Sequence, residues 1–142
     1  MATRTAEARW DGSFKRGGGS MSFGSGAFEG AYSAASRFEE GEGTNPEELI
    51  GAAHAGCFSM ALSLALGEAG HDPESIETDA TVHIDPADGG FAITRIELST
   101  RGRVPGIDAS EFERYAQAAK EGCPVSKALA GVQISVDAQL EG

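Results

Sequence analysis

The stretch TNPEELIGAAHAGCFSMALSLALGEAG, residues 44–70, decides how the chain folds. It opens with a helix start. Asn45 is a preferred N-cap, Pro46 suits the first helical position, and Glu48 stands where a capping-box acid belongs. Gly67 and Gly70 then offer stops. Between Ile50 and Leu66 only His54, Ser59, Ser63 and the thiol of Cys57 interrupt the apolar and small side chains. A helix apolar on nearly all sides belongs in a core or a subunit interface. The run approaches the ~20 residues that span a bilayer, but Glu47 and Glu48 open it and Glu68 closes it. The reading is a buried helix over 46–66, without a membrane partner.

Outward from that helix the chain reads as strands. TRTAEARWD, 3–11, and MSFGSGAF, 21–28, suit a hairpin whose turn is the glycine-rich segment 12–20. Residues 29–43 show little periodicity and read as a connection containing Arg37. On the other side, IETDATVHID, 76–85, alternates as a half-buried strand, PADGG turns, and 91–104 alternates again. The phase change between Ile93 and Ile96 predicts a bulge near Thr94. Asp108 or Ser110 caps a helix over 110–121. Pro124 starts a short helix with Cys123 as its N-cap, and 132–140 is the last strand. Hairpins predominate, so the expected class is α+β, with mostly antiparallel sheets on long helices. With no linker or repeat, residues 1–142 read as a single domain. One thin sheet covers one side of the central helix; a second copy of the chain would cover the other, which predicts an intertwined homodimer.

Charge excludes one class of partner. Lys and Arg total 11 against 22 Asp and Glu, a net charge of -11, and such a surface repels phosphate backbones, so no nucleic acid is expected. The opening MATRTAEARW lacks the apolar segment of a signal peptide, so the expected location is cytoplasmic. Structural disulfides are rare there. The two cysteines are then redox-active, metal-binding or inert.

Elementary physics ranks them. Burial in the middle of a helix raises the pKa of Cys57. A helix N-terminus favours a thiolate at Cys123. Reversing that order requires a cation beside Cys57, and Arg37 and Arg16 are the loop arginines available. Glu47 could orient such an arginine, because capping accounts for Glu48 and leaves Glu47 unexplained. Glu47 stands ten residues before Cys57, about 15 Å along a helix axis, so it does not act on the sulfur directly. His54 reads as a core histidine. His54, Cys57 and Cys123 make too poor a ligand set for zinc, and neither GxGxxG nor a P-loop is present, so no cofactor is expected.

Three motifs, TNPEEL, HAGCFSMAL and GCPVSKAL, together with SRFEEGEG, GFAITRIELSTRGRVPGIDASEF and the opening RWDGSFKRGGGSMS, resemble the osmotically inducible protein C (OsmC) branch of the OsmC/Ohr family over essentially the whole chain. The resemblance implies an intertwined α+β dimer with two active sites at its interface. It also implies a thiol peroxidase that reduces organic hydroperoxides and, less efficiently, hydrogen peroxide, in oxidative and osmotic stress defence. Cys57 would be the peroxidatic cysteine and Cys123 the resolving one, closing a disulfide that a dithiol carried on a lipoylated protein reduces. Glu47 matches the family's acidic partner of the catalytic arginine. Arg37, in SRF, matches the OsmC branch, whereas Arg16 falls nearest the arginine of the Ohr branch. The alternative is a redox sensor or a binder of small apolar ligands that uses the same cysteines without turnover.

Overall fold

The computed structural model describes residues 2–142, which divide into two compact units, residues 2–49 and 50–142. In the first, β1 (Ala6–Asp11), β2 (Gly18–Phe23) and β3 (Glu29–Tyr32) form an antiparallel sheet in sequential order. The short helix α1 (Ala34–Phe38) follows. The first hairpin is offset from expectation: Gly18–Ser20 belong to β2 rather than to its turn. The reason is aromatic. A Cβ on Gly19 would meet Tyr32 Cε1 at 2.8 Å and Trp10 Cε3 at 2.9 Å. The bare backbone gives the two rings a seat, and they pack against each other at 5.3 Å.

The connection expected over 29–43 is a correction, because it holds both β3 and α1. A serine capping box starts α1: the Ser36 amide donates to Ser33 Oγ at 3.1 Å and the Ser33 amide to Ser36 Oγ at 2.8 Å. Serine at the fourth position of the box replaces the usual Glu or Gln, which hides the start from a sequence reading.

Helix α2 (Pro46–Glu68) begins as the sequence indicates, with the Glu48 amide donating to Asn45 Oδ1 at 2.7 Å. The other half of the expected box differs. The Glu48 carboxylate accepts from Thr44 Oγ1 at 2.8 Å. From residue 50 onward α2 lies in the second unit. There His54, Phe58, Leu62 and Leu66 are fully buried, one turn apart along one face. The helix is long and apolar enough to cross a membrane by length and composition alone, but that face is packed in protein. The opposite face is not covered: Met60 is 76% and Leu64 63% exposed.

The second sheet has the order β4 (Ser75–Ala87), β5 (Gly90–Arg103), β6 (Gln133–Glu141). β4 and β5 form a long antiparallel hairpin in which His83 pairs with Arg95 and Ile84 with Ile93, leaving Thr94 as the extra residue of the expected bulge. β6 pairs parallel to β5. That geometry requires a crossover, made here by α3 (Ala109–Gly122, capped by Asp108) and α4 (Pro124–Ala128). Three of the four strand pairings are antiparallel, as the expected α+β class requires. Ile96, Leu98, Phe112 and Ala116 complete the core with α2, and Gly102 leaves the space that the Phe112 ring fills, since a Cβ there would lie 2.6 Å from it.

Candidate active site

The expected site residues fall into two sets, one in each unit. In the first unit Arg37 and Glu47 come together. Arg37 Nε donates to Glu47 Oε1 at 3.0 Å and Nη2 to Oε2 at 2.9 Å, a bidentate pair. Glu47 is 6% exposed. The guanidinium carbon also lies 5.3 Å from the centroid of the Phe38 ring, and Phe38 packs against Phe14. The approach of α1 to the start of α2 is held by Ser36 Oγ donating to Thr44 O at 2.7 Å and Asn45 Nδ2 donating to Ser36 O at 3.0 Å. Arg37 is thereby fixed in position and orientation. Arg16, the other candidate, is an exposed residue of the β1–β2 turn.

In the second unit Cys57 of α2 and Cys123 at the start of α4 are free thiols with their sulfurs 2.8 Å apart. A disulfide bond measures ~2.05 Å, so closing it takes a movement of less than 1 Å. Their burial departs from expectation. Cys123, read as a helix-end thiol, is fully buried, whereas Cys57, read as hidden within its helix, is half-buried. The crossover buries Cys123 at the junction of α3 and α4, and Cys57 lies off the fully buried stripe of α2.

The hydrogen bond between the sulfurs accommodates one proton, donated from either side. Burial and then the bond with Cys123 push the Cys57 thiol up, with the Val125 amide opposing. Burial also works against an anion at Cys123. Even so, the hydrogen bond with Cys57 and the amides of the first turn of α4, with the Ser126 hydroxyl, hold that thiol below its usual range. None of those amides closes a cap hydrogen bond by geometry; their effect is that of nearby dipoles. These forces favour an anion at Cys123 over one at Cys57, the order elementary physics gives from sequence.

Beside the thiols lies a second pair. His54 is fully buried, its Nε2 is 2.8 Å from Ser126 Oγ, and its Nδ1 has no partner among the described residues. Burial lowers its pKa. His54 is the expected core histidine. Ser126 went unread as a site residue, although GCPVS places it at the third helical position behind Cys123. Among the described residues no cluster of His, Cys, Asp and Glu could hold a metal ion.

The model of the OsmC-like protein family matches residues 39–137. The chain is 55% identical to the Escherichia coli protein named Peroxiredoxin OsmC, over 97% of this chain and 96% of that one. It is 38% identical to the organic hydroperoxide resistance protein of Xanthomonas axonopodis pv. citri over 64% of this chain and 63% of that protein. The crystal structure of an organic hydroperoxide resistance protein from Elizabethkingia anophelis superposes with a TM-score of 0.72 at 26% identity, covering 99% of this chain and 98% of that one. With the family model matching most of its length and 55% identity to one relative over nearly all of it, this chain belongs to the OsmC family.

Proposed function

We propose that the chain is a thiol-dependent peroxidase that reduces organic hydroperoxides to alcohols. The observation that carries this is the approach of two free thiols, 66 residues apart in sequence, to 2.8 Å. The Cys57 thiolate attacks the terminal peroxide oxygen. The O–O bond breaks, the alkoxide takes up a proton and leaves as alcohol, and Cys57 holds a sulfenic acid. Cys123 then displaces the hydroxyl as water and a disulfide forms, which an external dithiol returns to two thiols. A lipoyl group carried on a protein is the reductant class that the family resemblance favours.

Burial raises the Cys57 thiol, so its ionisation needs a cation. Arg37, oriented by Glu47, is the residue we assign to that task, with Arg16 second. Support comes from the bidentate pair, which presents a guanidinium already aligned. The two units act as one OsmC-like domain, since the family model spans residues of both. The exposed Met60 and Leu64 supply an apolar face for a second copy, in an intertwined homodimer. We read the chain as cytoplasmic, and its net charge of -11 does not suit nucleic acid.

The test is steady-state turnover of cumene hydroperoxide, a fatty-acid hydroperoxide and hydrogen peroxide with a lipoylated dithiol. Cys57→Ser should remove turnover with every peroxide. Full activity in that variant sinks the assignment. A single round of disulfide formation, with no repeated turnover on any dithiol, would identify a sensor instead.

A further inference from the structure

Helices α2 and α4 meet through two contacts of matching spacing. His54 and Cys57 stand one turn apart on α2; Cys123 and Ser126 stand one turn apart across the start of α4. Cys57 touches Cys123 and His54 touches Ser126, each at 2.8 Å. The second contact is the more buried, with His54 at 0% and Ser126 at 7% exposure.

Helix α1 shows what a serine at the Ser126 position ordinarily does. There Ser36 accepts from the amide of its own cap residue, Ser33. In α4 the cap amide is already engaged, because the Cys123 N–H donates to Ala119 O at 2.9 Å. The Ser126 hydroxyl is released from capping and bonds His54 instead. The histidine tautomer follows from its other nitrogen. Nδ1 is buried without a partner. A bare lone pair there costs less than an N–H donor with no acceptor, because buried donors are almost always paired. The proton therefore sits on Nε2 and is donated to Ser126 Oγ. That leaves the serine O–H free to donate elsewhere, and Cys123 stands at the cap of the same helix turn, where the hydroxyl favours the anion.

We infer that His54 and Ser126 are positioning residues for the second half of the thiol cycle, a relay from His54 Nε2–H through Ser126 Oγ–H that eases loss of the Cys123 proton as its sulfur turns on the oxidised Cys57. The inference rests on the reading of Cys123 as the resolving thiol. In that step the Cys123 sulfur attacks the Cys57 sulfenic sulfur. An S–S bond forms and the S–O bond breaks. The hydroxyl leaves with the proton surrendered by the Cys123 thiol, as water. The sulfenic sulfur is reduced by one electron equivalent and the Cys123 sulfur is oxidised by one. Neither His54 nor Ser126 touches the peroxide oxygen, so their removal acts on this step and far less on the first.

The experiment is single-turnover oxidation of the full chain by cumene hydroperoxide. Loss of peroxide times the first step. Disulfide formation, and trapping of sulfenic acid by dimedone, time the second. His54→Leu and Ser126→Ala should each slow disulfide formation about tenfold, as expected for losing one hydrogen bond to a charged group, with sulfenic acid accumulating meanwhile. His54→Gln, which retains an N–H donor toward Ser126, should restore most of the rate. Disulfide formation at the wild-type rate in both variants overturns the relay. So does equal slowing of both steps without rescue by glutamine, which marks a packing role. Failure of the wild-type chain to form a Cys57–Cys123 disulfide refutes the resolving assignment itself, and the relay with it.

Discussion

The two units differ in what they bury. In residues 50–142 the core is mainly apolar, with Phe58, Leu62, Leu66, Ile96 and Phe112 wholly excluded from solvent beside the buried polar His54, Thr100 and Ser126. In residues 2–49 the buried positions among the described residues are Ser36, Thr44 and Glu47, all polar. The second unit excludes water and places two sulfurs within it. The first uses its few buried groups as hydrogen-bonding pins that hold one guanidinium in place. Hydrophobic packing is non-directional, and it suits a thiol that needs only proximity. Hydrogen bonds are directional, and they suit a planar cation whose orientation matters.

Three measurements can break or sharpen this contrast. The largest effect belongs to the directional half. Arg37→Ala should slow peroxide attack by orders of magnitude and raise the thiol pKa of Cys57. Arg37→Lys should recover little of the rate, because an ammonium cannot reproduce the two-point contact with Glu47. Alkylation rates of Cys57 across pH that match wild type in Arg37→Ala would move the role to Arg16.

Next in size is a paired stability comparison. Phe112→Ala removes a fully buried ring from the second unit and should cost about 3–5 kcal/mol. Ser36→Ala removes the donor to Thr44 O and the acceptor for the Ser33 amide, and should cost about 1–3 kcal/mol. Denaturant unfolding measures both. If Ser36→Ala proves neutral, polar pins are not what holds the first unit.

The smallest effect is electrostatic. His54 is buried and its pKa is lowered in the folded chain, so below the ordinary histidine range, ~6.5, the unfolded chain binds a proton that the folded chain refuses. Stability should therefore fall as pH drops through that value and stop falling once the folded-state pKa is passed. His54→Gln should flatten this part of the stability profile between neutral pH and pH ~5. An unchanged slope assigns it to other groups.

Much of this was readable in advance, for local reasons. The start of α2, the Asp108 cap and the Thr94 bulge each follow from a residue type at a fixed offset. The logic that separated Glu47 from Glu48 also reached the residue that pairs with Arg37, since Glu48 is engaged by Thr44 beside the cap. What escaped depends on non-local facts. Alternation in 132–140 marks a strand but not its direction, so the parallel pairing with β5 was invisible. Helix α1 was lost because Ser33 and Ser36 cap it without an acid. The relative burial of the two cysteines was inverted, because it is set by where the crossover packs and not by either local sequence. Arg16 and Arg37 looked alike as loop arginines; only Arg37 has its partner carboxylate within reach.

The parallel pairing of β6 also governs when the thiols first meet. Cys123 rides on the segment that must loop back before the C-terminal strand can zip along β5, a non-local closure in the second unit. Such closures come late because their entropy is lost before their contacts form. The two thiols, 66 residues apart in sequence, meet through a closure of the same non-local kind, so their pairing belongs to the late, assembled fold rather than to any local element.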